Sequence, residues 1–142
     1  MKVIVSACLL GENCKYNGGN NYSEKVAQFL KGREVIPVCP ETLAGLGIPR
    51  TPIEICGDRV ISKDGVDVTD CLIRAVKTIL SQIADEDIEC AVLKSRSPTC
   101  GVHQVYDGTF SGTLIDGAGT LAQALMAAGY AVMDNEDLSL HP

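Results

Sequence analysis

The sequence has no tryptophan, and phenylalanine and tyrosine together make up only 4% of its 142 residues. Its core must therefore be filled by Val, Ile, Leu and Ala, residues that suit parallel strands covered by helices on both faces. It also lacks an excess of positive charge. Against 12 Lys and Arg stand 18 Asp and Glu, a formal net charge of −6. Each phosphate contact needs a positive partner, so this balance excludes a large nucleic-acid surface. A small basic pocket remains open to it, with Arg50, Lys94 and Arg96 as contributors. No run approaches the roughly 18 apolar residues of a membrane span. The opening Met1–Cys8 carries one charge and a short apolar run, without the longer apolar core of a signal peptide. The expectation is a cytoplasmic chain with no membrane partner.

Hydrophobic residues supply 46% of the chain, enough for one sizeable core, and the length fits a single domain over 1–142. A chain of this size buries roughly 68–70% of its unfolded surface. Strands are expected at 3–6, 34–38, 88–93 and 130–133, with Pro37 tolerated near the end of the second. Helices are expected over 23–31, before Gly32; from a cap at Asp67 or Thr69 to about Ala84; and over 120–128, before Gly129. Leu72, Ile73, Ala75, Val76, Ile79, Leu80 and Ile83 give the second helix one apolar face. Residues 42–57 and 103–117 read as loops, 59–62 and 66–68 as a small hairpin about Lys63-Asp64-Gly65, and the last nine residues as a frayed tail. Strands alternating with helices predict an α/β fold with a mainly parallel sheet and a small β-hairpin insertion.

Seven cysteines call for explanation. In a reducing compartment an odd number does not suggest a disulfide framework, which leaves buried apolar side chains, metal ligands or a reactive thiol. Cys71, in the first turn of a helix, Cys90, within a strand, and Cys56, in a loop, read as packing residues. Cys8 follows the first strand, Cys39 the second, and Cys100 lies seven residues beyond the third. In an open parallel sheet, ligands bind outside the carboxyl ends of the strands. The three thiols therefore share one sheet edge without any local knuckle spacing, and this favours ligation over packing. Their Pro/Gly-rich settings, Cys-Leu-Leu-Gly, Cys-Pro-Glu and Pro-Thr-Cys-Gly, offer backbone N–H groups to anionic sulfur. Cys14 reads either as a fourth ligand or as a thiol lining the loop. Four thiolates close an iron–sulfur cluster and suit electron transfer, whereas three leave one iron open to a substrate atom. Zinc with three cysteines and water is an alternative at this point.

The motifs Ser-Ala-Cys-Leu-Leu-Gly (6–11), Tyr-Asn-Gly-Gly-Asn (16–20), Val-Cys-Pro-Glu (38–41), Leu-Lys-Ser-Arg-Ser-Pro-Thr-Cys-Gly (93–101) and Tyr-Asp-Gly-Thr-Phe-Ser-Gly (106–112) occur together in this one chain. In that combination the chain resembles the thiouracil desulfidase family from about residue 2 to 134. Pro-Thr-Cys, where the family often has Pro-Ser-Cys, is a mild departure. The resemblance implies a three-layer αβα fold with a [4Fe-4S] cluster on three cysteines, at Cys8, Cys39 and Cys100. It implies non-redox removal of sulfur from 2- or 4-thiouracil or a thiouridine nucleotide, with the sulfur taken by the free iron and replaced by water on the ring carbon. It further implies an assisting carboxylate and serine, placed at Glu41 and Ser95, and iron–sulfur loading machinery as a partner.

The simpler readings stand beside these. Glu41 reads equally as a surface residue of a turn, and Ser95 as a cap after the third strand. Gly117-Ala-Gly-Thr120 offers N–H groups to a nucleotide phosphate, or is an ordinary helix start. His103 reads as structural, and His141 as part of the tail. The competing functions are a non-enzymatic iron–sulfur carrier or redox sensor, with Cys14 as fourth ligand, and a zinc hydrolase.

Overall fold

The computed structural model describes residues 1–138. In chain order its elements are β1 (Lys2–Ser6), α1 (Glu24–Leu30), β2 (Glu34–Val38), α2 (Pro40–Leu43), β3 (Ile53–Cys56), β4 (Arg59–Ser62), α3 (Thr69–Ile83), β5 (Ile88–Leu93), β6 (Gln104–Tyr106), β7 (Leu114–Asp116), α4 (Thr120–Ala127) and β8 (Val132–Asp134). Four strands form the central sheet in the order β2-β1-β5-β8, and every neighbouring pair is parallel.

Alternation along β1 and β5 divides the core into two layers. Ile4, Ala91 and Leu93 face one side and pack with Val76, Ile79 and Ile83 of α3 and Leu121 and Leu125 of α4. Val3, Val5, Cys90 and Val92 face the other and pack with Val26 and Leu30 of α1. Each fully buried Val, Ile or Leu contributes roughly 1.5–3 kcal/mol relative to exposure. This is the three-layer αβα arrangement expected. Ser23 caps α1, its side chain accepting from the Val26 N–H at 3.2 Å.

Three stretches differ from the sequence reading. Residues 42–57 are not one long loop, because α2 extends to Leu43 and β3 occupies Ile53–Cys56. The hairpin pairs β3 with β4 through Gly57, whose φ of +64° the tight turn requires. The expected pairing of 59–62 with 66–68 is present beside it as a single antiparallel bridge, Ile61 to Asp67, made by Ser62 N–H to Val66 O and Val68 N–H to Val60 O, while the longer ladder of β4 is with β3, where Ile53 and Val60 pack in one cluster with Leu72. Residues 103–117 contain a second hairpin, β6–β7, anchored by the buried Val105. Nor is the segment after β8 frayed. The buried Asp134 carboxylate accepts from the N–H groups of Glu136 (2.8 Å) and Asp137 (3.0 Å), and Leu138 packs beside Val3 and Val5. Residues 139–142, including His141, lie outside the described residues.

Candidate active site

Because β1, β2 and β5 are parallel, their carboxyl ends share one edge, and a cavity of about 480 Å³ opens there. That volume suits a small ligand. Cys8, Cys39 and Cys100 all line it, as do Cys14, Glu41 and Ser95. The sequence-predicted residues are thus brought to a single site.

Each thiol is held differently. Cys8 sits in a 3-10 turn, Ala7–Leu10, which ends at Gly11 with a left-handed φ of +93°. Its Sγ accepts from Asn21 Nδ2 at 3.4 Å. Cys39 is the residue between β2 and α2, and its Sγ lies 3.1 Å from the Thr42 hydroxyl. Cys100 is fixed by its loop. Its N–H donates to Ser97 Oγ at 3.0 Å, and Thr99 Oγ1 reaches its Sγ at 3.7 Å. The start of α4 docks on the same loop, with Gly119 N–H donating to Gly101 O (2.7 Å), Thr120 N–H to Pro98 O (3.1 Å) and Leu121 N–H to Thr99 O (2.8 Å). These N–H groups are consumed in holding Cys100, so the phosphate reading of 117–120 gives way to the ordinary helix start.

The thiols stand in a desolvating setting. Burial pushes Cys8 up from its ordinary value, and pushes both Cys14 and Cys100 up to about 12. Without a cation Cys8, Cys14 and Cys100 are neutral thiols, whereas a coordinating metal deprotonates a thiol outright. The donor set distinguishes one zinc ion from a cluster. With Zn–S bonds of about 2.3 Å, three sulfurs on one ion lie within about 4.6 Å of one another. Among the described residues, Cys8, Cys39 and Cys100 do not converge even to a mutual 4.8 Å. Three soft sulfurs lining one cavity, wider apart than a single zinc ion spans and with hydroxyl and amide donors beside them, are a donor set whose chemistry fits an iron–sulfur cluster.

Glu41 is in the first turn of α2 and reaches into the cavity. Its Oε1 accepts from Arg50 Nε at 3.2 Å and its Oε2 from Thr99 Oγ1 at 3.1 Å. The pair is largely shielded, with the Arg50 side chain 6% and the Glu41 side chain 15% exposed. Arg50 also donates to the carbonyls of Cys14 (2.8 Å) and Gly47 (2.9 Å), so it ties the Cys14 loop to the carboxylate. Ser95 is buried, and its Oγ accepts from Lys94 Nζ at 3.1 Å. Burial lowers Lys94 from its ordinary value. Of the three basic residues expected at a pocket, Arg50 is occupied by Glu41 and Arg96 by Glu136, while Lys94 holds Ser95.

The remaining candidates fall elsewhere. Cys90 is buried in the core and Cys71 donates to Val68 O at 3.1 Å, both in keeping with packing roles. Cys56 is exposed, which corrects the expectation of a packing role; it is the last residue of β3, at the turn into β4. His103 bonds the Asp137 carboxylate at 2.8 Å, the structural role expected for it. Asn21, Thr42, Thr99 and Glu54 were not marked by the sequence reading as site residues. Their bonds to the thiols, to Glu41 and to a distant loop join positions that a single sequence gives no reason to pair.

The comparisons with known proteins bear on this site as a whole. A family model described as 2-thiouracil desulfurase matches residues 3–137. The protein YbbK of Bacillus subtilis is 34% identical over 96% of this chain and 97% of its own length. A solved structure, the [4Fe-4S]-dependent thiouracil desulfidase TudS, superposes with a TM-score of 0.88 at 36% identity, covering 96% of this chain and 92% of that one. The five motifs, the parallel sheet and the cysteine-lined cavity occur here together, and this chain belongs to the 2-thiouracil desulfurase family.

Proposed function

We propose that the protein is a [4Fe-4S]-dependent desulfurase that converts thiouracil and water into uracil and hydrogen sulfide. The observation that carries the proposal is the set of three cysteines beyond the strand ends that line one cavity together with Glu41. Cys8, Cys39 and Cys100 would hold the cluster, and Cys14 lines the cavity without serving as a ligand. When bound, the cluster would supply a soft Lewis acid suited to a thione sulfur, whose coordination would draw electrons from the C–S bond.

The chain's own residues do the rest. Glu41, fixed by Arg50 and Thr99, accepts a proton from the water that attacks the ring carbon and returns it to the departing sulfide. Lys94 occupies an acceptor site on Ser95 Oγ, so the hydroxyl meets a ring oxygen or nitrogen as a donor, in competition with the nearby Glu136 carboxylate. No oxidant or reductant is needed, since one C–S bond is exchanged for one C–O bond. The substrate class is a thiolated pyrimidine, as free base or nucleotide. The enzyme works in the cytoplasm, where iron–sulfur loading machinery supplies the cluster. None of the helices is long and apolar enough to cross a membrane among the described residues.

Anaerobic reconstitution followed by addition of 2-thiouracil tests the reading. Uracil and sulfide should appear in equal amounts without added reductant. A cluster-loaded protein that produces neither would end it.

A further inference from the structure

The cavity has a second wall that the cysteines and Glu41 leave without a role. It is formed by Tyr106, at the end of β6, and by Phe110 and Gly112 of the loop between β6 and β7. Phe110 is unusual in three respects. It is one of only two phenylalanines in a chain without tryptophan. The other, Phe29, packs on the α1 core and takes Arg33 over its ring at 4.4 Å, whereas Phe110 belongs to none of the hydrophobic clusters. Its backbone also sits at a φ of +55°, in the left-handed region that a bulky side chain rarely adopts. Strained residues of this kind persist only where the surroundings over-determine them, and they concentrate at ligand sites.

The surroundings are specific. Glu54 of β3 reaches across from the first hairpin, and one carboxylate oxygen accepts from both Gly108 N–H (3.0 Å) and Phe110 N–H (3.2 Å). Gly108, at φ +94°, passes so close to β3 that a Cβ there would lie 2.7 Å from Ile55 O. Asp107 and Thr113 close the base of the loop, Asp107 N–H donating to Thr113 O at 3.0 Å. The backbone that presents Phe110 is therefore fixed by Glu54 and β3, in a loop that lines the same cavity as the thiols. A planar, π-rich ring in the lining of that cavity is matched by a planar, π-rich ligand, because stacking recognises the face of a heterocycle.

We propose that Phe110 is the platform on which the pyrimidine ring of the substrate stacks, making it a specificity-determining residue that orients the C–S bond toward the cluster corner. The proposal rests on the desulfurase reading and adds to it how the ring is gripped. It assigns Glu54 a positioning role, acting through the backbone of Phe110 without touching the ligand.

The test uses Phe110→Gly, Phe110→Leu and Phe110→Tyr, with 2-thiouracil as the probe. Dissociation constants are measured by calorimetry on the cluster-free protein, and KM and kcat on the reconstituted protein. Glycine accepts a φ of +55° without strain, so Phe110→Gly should fold with an unchanged or raised melting temperature and a full cluster. Its Kd and KM should nevertheless rise by about 10- to 100-fold, the range set by losing one base–aromatic stack, with a smaller change in kcat. Phe110→Tyr should restore binding, and Phe110→Leu, which keeps apolar bulk without a π face, should not. Wild-type Kd and KM in Phe110→Gly, or full rescue by leucine, would overturn the stacking assignment while leaving the desulfurase reading intact. Ring-dependent binding without any sulfide release from the wild-type protein would instead overturn the desulfurase reading alone.

Discussion

The docking of α4 on the Cys100 loop makes a sharp prediction at Gly119. Its backbone, φ −69° and ψ 168°, is open to any residue, so conformational freedom is not why glycine stands there. The reason is space. A Cβ at this position would lie 2.4 Å from Thr99 C, 2.5 Å from Thr99 O and 2.7 Å from Cys100 N, all of them backbone atoms with no flexible end to swing aside. Ordinary van der Waals contact begins near 3.4 Å, so Gly119→Ala must push the 99–100 backbone and α4 apart by about 1 Å. That displacement moves the sulfur of Cys100 and, through Thr99 Oγ1, the support of Glu41. Overpacking of this kind costs about 1–3 kcal/mol, or roughly 3–10 °C in melting temperature for a chain of this size. A 1 Å misplacement of reacting groups costs on the order of 100-fold in rate. Iron per chain after anaerobic reconstitution, melting temperature and the rate of sulfide release should therefore all fall in Gly119→Ala. Gly117→Ala is the matched control, because its Cβ would meet only Val105 Cγ2 at 3.5 Å. Full iron loading and wild-type turnover in Gly119→Ala would refute the claim that this helix start sets the position of Cys100.

Glu41→Gln keeps an oxygen for Arg50 but removes the base; sulfide release should fall by about 10²–10⁴-fold while the cluster's absorption spectrum is retained. Cys14→Ser should retain iron content and most of the activity, whereas loss of the cluster would restore Cys14 as a fourth ligand. The bond to Asp137 raises the pKa of His103 above its ordinary 6.5, so the stabilisation is complete below 6.5 and vanishes as pH rises through the folded value. The pair is solvent-screened and amounts to about 0.5 kcal/mol or less. Denaturant midpoints of His103→Asn and wild type should therefore differ slightly in mild acid and coincide at alkaline pH.

Much of this architecture is legible in the sequence because local pattern and tertiary demand agree. The run Glu34–Val38 and the run Ile88–Leu93 are strands with the limits expected, the second an apolar run buried in the middle of the parallel sheet and the first a half-buried run at its edge, where Pro37 is tolerated. The apolar stripe of α3 places its helix from Thr69 to Ile83 for the same reason. Three strand-end cysteines could be gathered onto one edge from topology alone. What stayed hidden depends on partners distant in sequence. Ile53–Cys56 sits in a Pro- and Gly-rich stretch and becomes a strand only because β4 pairs with it and Leu72 covers Ile53. The turn after β8 looks like a polar tail, yet Asp134 caps it and Asn135 Oδ1 accepts from the Ser95 N–H at 2.9 Å. The Arg50–Glu41–Thr99 chain joins residues up to 58 positions apart, a relation that no spacing rule contains.

The central claim is that three cysteines, and no fourth, hold the cluster and leave one iron open to substrate. Mössbauer spectra of anaerobic, iron-loaded protein with and without 2-thiouracil address it most directly. One iron should be distinguishable from the others in the resting protein and should be the one whose signal changes on adding the thiolated base, in wild type and in Cys14→Ser alike. Equivalent irons that do not respond to 2-thiouracil would contradict the account.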